Sequence, residues 1–155
     1  MRTTAATQAG SASSPFRVLL VEDDSAHALV ISRAFQSLDV PVSVDHVEDG
    51  EDAIHRLERA ALPDLVLLDL KLTGIQGLEV LSRIKSSPSL TALPVIVLTT
   101  SDSEHDRVEA FRRHANAYVQ KPDELDGFRS LARTLVGFWG GHHVASRRGG
   151  GPRDN

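Results

Sequence analysis

Apolar runs alternate with segments of helical spacing through the middle of this chain. Short continuous runs of apolar residues predict buried strands, and a run that alternates with polar residues predicts a half-exposed edge strand. Strands are therefore predicted at residues 18–21, 40–44, 65–68, 95–98 and 117–119, with the second at the edge of a sheet.

Each predicted strand is followed by a segment whose apolar residues recur every three or four positions, as on one face of a helix. Five such units predict an α/β fold, a doubly wound parallel sheet with right-handed crossovers and helices on both faces. The fifth helix is expected to end before Gly140. The apolar positions of the five helices are Ala28, Ile31, Phe35 and Leu38; Ala53, Ile54, Leu57 and Ala61; Leu78, Leu81 and Ile84; Val108, Phe111 and Ala115; and Leu125, Phe128, Leu131, Ala132 and Leu135.

The two ends of the chain differ from the middle. Residues 1–15 are small and polar and residues 140–155 are rich in Gly and Arg, so both are predicted to be disordered tails. One domain is expected between them, at residues 16–139. His142 and His143 lie in the second tail and are interpreted as tail residues rather than as a metal site.

Composition excludes several classes of function. The chain has 155 residues and no cysteine, which excludes disulfides, thiolate zinc sites and cysteine nucleophiles. A formal net charge of -4 argues against general binding of nucleic acid. No signal peptide and no apolar stretch of about 20 residues is evident, so a soluble cytoplasmic protein without membrane contact is expected.

Reactive side chains follow four of the predicted strands. Asp69 ends the most apolar run, and a carboxylate buried there needs a charged partner or a chemical task. Because parallel strands end at one edge of a sheet, these groups predict one shared site. The other groups are Glu22, Asp23 and Asp24 after the first strand, Thr99, Thr100 and Ser101 after the fourth, and Lys121 and Pro122 after the fifth.

Residues 21–24, 67–72, 97–101 and 117–122 resemble, in order and in spacing, the receiver domain of bacterial response regulators, the CheY-like family. The resemblance extends over about residues 16–136 and implies a flavodoxin-like sheet with strand order 2-1-3-4-5. It also implies that Asp69 accepts a phosphoryl group from a sensor histidine kinase. The chain is then expected to be a stand-alone signalling protein rather than an enzyme. Its output would be a protein contact, because few residues remain for a DNA-binding domain.

Clustered carboxylates repel one another, and a hard divalent cation such as Mg²⁺ removes that repulsion. Under this resemblance Asp23 and Asp69 are the direct ligands, the Lys71 backbone carbonyl is a third, and Glu22 acts partly through water. Lys121 offers its ammonium first to the carboxylate and then to the phosphoryl oxygens.

Two further roles are implied by the resemblance. Thr99 moves inward to donate its hydroxyl to the phosphoryl group, and Tyr118 follows it, which couples the site to the surface. Lys71 and Ser101 occupy the positions that control the lifetime of the phosphoryl group. Lys71 is expected to shield it and Ser101 is too short to orient an attacking water, so slow self-dephosphorylation is expected.

Plainer roles remain open for several of these residues. Tyr118 could be an ordinary aromatic of an edge strand, and Lys71 could simply point to solvent. Asp24 is more simply a helix cap than a metal ligand.

Three residues depart from the family pattern. Thr73 stands where proline is frequent, which should loosen the turn without touching a catalytic atom. Glu22 replaces the commoner Asp and keeps its charge. His114 stands where glycine is usual, so the end of the fourth helix is expected to differ in shape.

Residues 116–122, with Phe138 and Trp139, are similar to single-domain regulators that are paired with bacterial phytochrome kinases. Val136, Phe138 and Trp139 are expected to lie beyond the stripe that packs on the sheet. They should support a homodimer through the fifth helix and its C-terminal end, with the fourth helix and fifth strand, unless they fold back on their own domain. The Lys121–Pro122 bond is expected to be cis, because a cis bond would aim the lysine at the acids.

Two other functions are compatible with the fold. A flavin or nucleotide binder would need a loop that cradles phosphate after the first strand, where three acids stand instead. An interaction module that is not phosphorylated would usually lack a key acid or the lysine, and this chain has both.

Overall fold

The computed structural model describes residues 14–140, which form a five-stranded parallel sheet flanked by five α-helices. The strand order is β2-β1-β3-β4-β5, which confirms the predicted topology. The predicted tails at residues 1–13 and 141–155, with His142 and His143, lie outside the described residues. The strands are β1 (Phe16–Val21), β2 (Val42–Val47), β3 (Leu65–Leu68), β4 (Val95–Thr99) and β5 (Ala117–Gln120). The helices are α1 (Ser25–Gln36), α2 (Gly50–Arg59), α3 (Gly77–Ser86), α4 (Glu104–Arg112) and α5 (Leu125–Leu135), and a π-helical turn (Val136–Gly140) follows α5.

The central strands bury both of their faces, which explains why they are continuously apolar. In β3, Leu65 and Leu67 pack against α1 and α5, whereas Val66 and Leu68 pack against the helices of the opposite face. Two apolar clusters therefore cover the sheet, one on each side. No helix within residues 14–140 is long and apolar enough to cross a bilayer.

Helix starts are capped by the acids and hydroxyls that precede them. The Asp24 carboxylate accepts from the backbone N–H groups at the start of α1, and Asp49 caps α2 in the same way. Ser103 caps α4 and accepts from the N–H of Asp106. Such a cap stabilises a helix by about 1 kcal/mol, and the cap of α1 fixes the loop that carries Glu22 and Asp23.

The fourth helix differs from the predicted pattern. Phe111, expected in the core, is 45% exposed, and Ala110 is the buried residue of this helix. Ala115 is buried but follows the helix. His114 has a φ of 72°, in the left-handed region that favours glycine, so the substitution is accommodated without leaving the glycine-like conformation.

The C-terminal segment folds back on the domain. Val136 and Trp139, which were expected to lie away from the core, are therefore not available for a dimer contact. Val136 is buried, and Trp139 packs against the cluster formed by α1 and α5. Val136 and Trp139 lie four residues after Ala132 and Leu135, which are buried in α5, so they continue the buried face of that helix. Phe138 remains 53% exposed and meets Trp139 edge-on, with ring centroids 4.6 Å apart.

Candidate phosphoacceptor site

The acids that were predicted to share a site do meet at one edge of the sheet. β1 and β3 are neighbours in register, with Val21 beside Leu68, so the residues that follow them emerge side by side. Carboxylate oxygens of Glu22, Asp23 and Asp69 lie within 4.8 Å of one another. Glu22 and Asp69 are buried and Asp23 is exposed, so the cluster opens to solvent on one side.

Lys121 supplies the cation of this cluster. Its Nζ lies 2.7 Å from Glu22 Oε1 and 3.1 Å from Asp69 Oδ2, and its side chain is only 4% exposed. Hydrogen bonds from a buried ammonium to carboxylates are short and strong, so the lysine holds both acids in place. The lysine itself is positioned by β5, since its backbone N–H donates to the carbonyl of Thr99 at 2.7 Å.

The expected cis bond at Lys121–Pro122 is wrong. No peptide bond within the described range 14–140 is cis. The lysine reaches both acids with the trans bond, which is the favoured isomer by about 0.5–1 kcal/mol before proline. A cis bond is therefore not needed to aim the ammonium.

The loop after β3 fixes the second oxygen of Asp69. The backbone N–H of Lys71 donates to Asp69 Oδ1 at 3.2 Å, so each carboxylate oxygen has a donor. The chain then turns back tightly, with the N–H of Gly77 donating to the carbonyl of Leu70 at 2.9 Å. A Cβ at Gly77 would collide with the backbone oxygen of Asp69 and lie 2.5 Å from the Leu70 Cα, so only glycine fits here.

The cluster carries more negative than positive charge. Burial raises the pKa of the Glu22 carboxyl above its ordinary value, the Asp69 carboxylate raises it further, and the Lys121 ammonium lowers it only in part. One ammonium thus faces three carboxylates. A divalent cation between the acids would offset the remaining repulsion, and an all-oxygen set of carboxylates suits a hard ion of the Mg²⁺ class.

Thr73 contacts the acid cluster, although it was expected to touch no catalytic atom. Its Oγ1 donates to Asp23 Oδ2 at 3.1 Å, and its backbone pairs with Asp49 in an isolated bridge. The residue that replaces proline therefore contacts a predicted metal ligand. Its hydroxyl and the bridge tie the turn in place of the proline ring.

The predicted switch residues line the next strand ends. Thr99 is fully buried, and its Oγ1 accepts from the N–H of Ser101 at 3.3 Å. The Tyr118 hydroxyl donates to the carbonyl of Ser101 at 3.0 Å, so the β4–α4 loop and β5 are joined by a hydrogen bond. Ser101 Oγ donates to Asp106 at 2.7 Å and is thereby engaged with α4.

Several residues of the site were not predicted from the sequence. The His27 Nδ1 lies 2.9 Å from Lys121 Nζ, and the Nε2 of His46 donates to the backbone oxygen of Glu22 at 2.7 Å. Thr73 and Gly77 complete this set. Histidines on an exposed helix face and on an edge strand carry no sequence signal of a site, because only the strand order brings them to it.

This arrangement defines a class of protein: a buried aspartate at the end of β3, held by a lysine and flanked by two further acids. Residues 18–133 match the Response regulator receiver domain family. The chain belongs to that family, whose members are signalling phosphoacceptors rather than classical enzymes.

Individual relatives extend the comparison. The chain is 41% identical to the probable methanogenesis regulatory protein FilR2 of Methanothrix harundinacea, over 83% of this chain and 86% of that protein. It is 33% identical to the response regulator Rcp1 of Synechocystis, over 81% of this chain and 89% of that protein. A solved structure of Rcp1 in its Mn²⁺-bound form superposes with a TM-score of 0.73. The phosphorylated cyanobacterial phytochrome response regulator RcpA superposes with a TM-score of 0.76 at 36% identity, over 81% of this chain and 94% of that one.

Proposed function

We propose that this chain is a single-domain response regulator that accepts a phosphoryl group on Asp69 and signals through a contact with another protein. The observation that carries the proposal is that both carboxylate oxygens of Asp69 accept hydrogen bonds, one from Lys121 Nζ and one from the N–H of Lys71. Two further acids lie beside this carboxylate. A carboxylate held in this way presents an oriented nucleophile to a phosphoryl donor that enters from the solvent side.

The site residues divide the work of phosphoryl transfer. An oxygen of Asp69 attacks phosphorus in line as the bond from phosphorus to the donor nitrogen breaks, and the freed donor leaves on the opposite side. Lys121 passes from the carboxylate to a phosphoryl oxygen, and Thr99 donates its hydroxyl to another after moving inward. Tyr118, already bonded to the β4–α4 loop, transmits that movement to the surface of α4 and β5.

Mg²⁺ is the cofactor that we assign to the acid cluster. Glu22, Asp23 and Asp69, with the backbone carbonyl of Lys71, would hold the ion, and a bound ion supplies charge neutralisation at the phosphoryl oxygens. The Mn²⁺-bound form of Rcp1, a relative at 33% identity, supports a divalent cation in this type of site.

The partner that we assign is a sensor histidine kinase of the bacterial phytochrome type, and we place the chain in the cytoplasm with it. Its support is the similarity to RcpA, a phytochrome response regulator, and to Rcp1. The net charge of -4 gives no support to a nucleic-acid output. A phosphotransfer assay against the histidine kinases of the source organism tests this assignment, and transfer from a kinase of another type alone would contradict it.

Chemical phosphorylation tests the central claim. Incubation with acetyl phosphate and Mg²⁺ is expected to add one phosphoryl group, measured as a mass increase on the peptide that contains Asp69. Asp69→Asn is expected to abolish the increase because it removes the nucleophilic oxygen, and Asp64→Asn, at the other end of β3, serves as the control. Equal labelling of the Asp69→Asn variant would refute the assignment.

A further inference from the structure

His27 lies in the first turn of α1, outside the acid cluster, and makes direct contact with the lysine of the site. Its Nδ1 is 2.9 Å from Lys121 Nζ. The same ammonium contacts Glu22 Oε1 at 2.7 Å and Asp69 Oδ2 at 3.1 Å. An ammonium has three N–H donors, so these three acceptors match its full capacity.

The contact has one possible direction. A lysine ammonium has no lone pair and only donates, so Nδ1 of His27 is the acceptor of this hydrogen bond. The carboxylate that caps this helix, Asp24, has Oδ2 3.9 Å from this Nδ1, too far for a hydrogen bond, so the lysine is the hydrogen-bond partner of this atom.

His27 differs in kind from the other two partners of Lys121. Glu22 and Asp69 belong to the acid cluster, and their oxygens are the ones that a cation or a phosphoryl group would engage. The imidazole offers a nitrogen acceptor and is not part of that cluster. Its hold on the ammonium is therefore unchanged when the acids change partners.

We infer that His27 is a positioning residue that keeps the Lys121 ammonium in place while the hydrogen bonds to Glu22 and Asp69 are exchanged during phosphoryl transfer. The inference rests on the proposed function. Without the histidine, the ammonium at the end of a flexible four-carbon stem would lose its one protein acceptor outside the acid cluster and would be less well fixed at the phosphoryl oxygen.

The helix is built to hold the ring at this point. The N–H of His27 donates to the capping carboxylate of Asp24 at 3.1 Å, which fixes the backbone of the first turn. The ring is 41% exposed and lines an open cleft with Thr100, Lys121 and Pro122. Substitution of a side chain this exposed should leave the fold intact.

The test compares His27→Leu, which removes the acceptor, with His27→Asn, whose Oδ1 can replace Nδ1. The readouts are the rate of phosphoryl incorporation from acetyl phosphate with saturating Mg²⁺ and the Mg²⁺ affinity measured by calorimetry. His27→Leu is expected to be phosphorylated about tenfold more slowly, the effect of one hydrogen bond to a charged group, with unchanged Mg²⁺ affinity. His27→Asn is expected to recover most of the rate.

A double-mutant comparison identifies the route of the effect. In a Lys121→Met background, His27→Leu is expected to cause no further loss, because the histidine acts through the lysine. An equal loss in both backgrounds, a wild-type rate for His27→Leu, or an Asn variant as slow as the Leu variant would overturn the inference while the proposed function stands. A wild-type protein that takes up no phosphoryl group on Asp69 would overturn both.

Discussion

At the scale of one residue, the buried carboxylate of Glu22 lowers the stability of the fold when it is ionised. It is almost fully buried beside Asp69, and burial raises the pKa of its carboxyl above the ordinary value of 4.5. In the interval between 4.5 and the raised pKa the folded protein holds more protons than the unfolded chain. Protonation of Glu22 therefore contributes to the free energy of unfolding of the metal-free protein at low pH, and this contribution is lost as the pH rises through that interval.

The pH dependence can be measured by urea unfolding in a chelating buffer. Relative to Glu22→Gln, which cannot ionise, the wild type is expected to become progressively less stable as the pH is raised above 4.5. Saturating Mg²⁺ is expected to remove the difference in slope, because a cation favours the ionised form. A difference between the two proteins that stays constant with pH would contradict the raised pKa.

Lys71 and Ser101 are expected to set the lifetime of the phosphoryl group. Ser101 Oγ donates to Asp106 at 2.7 Å and is engaged with α4, so it does not serve as a base for water. Lys71 is exposed next to Asp69, and its long cationic side chain has room to cover the phosphoryl oxygens. Both features predict slow self-dephosphorylation.

The decay of the phosphorylated wild type, followed by mass spectrometry, is to be compared with that of Lys71→Asn combined with Ser101→Glu. The double variant is expected to decay faster, because the shield is removed and a carboxylate that can orient water is introduced. Arg59→Asn is the control, because it removes an exposed cation far from the site. Lys85 is unsuitable for this purpose, since its Nζ donates to the carbonyl of Leu93 at 2.8 Å. An unchanged decay in the double variant would exclude shielding by Lys71.

At the scale of elements, the turn between β3 and α3 depends on one glycine. The backbone of Asp69 and Leu70 passes so close to Gly77 that a Cβ there would force the turn apart. Gly77→Ala is expected to destabilise the fold by about 1–3 kcal/mol, as overpacking does, and to slow phosphorylation by displacing Asp69.

Gly137→Ala is the matched control, because nothing lies within 4 Å of a Cβ at that position. It is expected to leave both properties intact. Thermal unfolding and the rate of labelling from acetyl phosphate measure the two effects. A Gly77→Ala variant that matches the control in both would show that the turn can relax.

The elements were predictable from the sequence to the extent that local patterns determine them. The strands, the cap Asp24 and the shared site of Glu22, Asp23 and Asp69 follow from apolar runs and strand ends, whereas the strand order was implied by the resemblance to receiver domains. The exposure of Phe111 was not predictable, because the register of a short helix depends on how it lies on the sheet. The contacts of His27 and Thr73 were not predictable either, because they join residues that are far apart in sequence.

At the scale of the whole molecule, the apolar surface indicates where a second copy would bind. The homodimer was expected to use Val136, Phe138 and Trp139, yet Val136 is buried and Trp139 packs on its own domain. Phe138 remains exposed near the end of α5. A dimer through this end of the molecule must therefore be centred on Phe138.

Sedimentation equilibrium at high micromolar concentration, with and without beryllofluoride and Mg²⁺, measures the association. The wild type is expected to form a dimer, and Phe138→Asp to be a monomer, because a charge placed in an apolar contact is left without a partner. Leu29→Asp on α1 is the control, since Leu29 is 52% exposed against 53% for Phe138 but lies on another helix. It is expected to dimerise like the wild type. A wild type that stays monomeric under all conditions would show that the fold-back of Trp139 and Val136 leaves too little apolar surface for association.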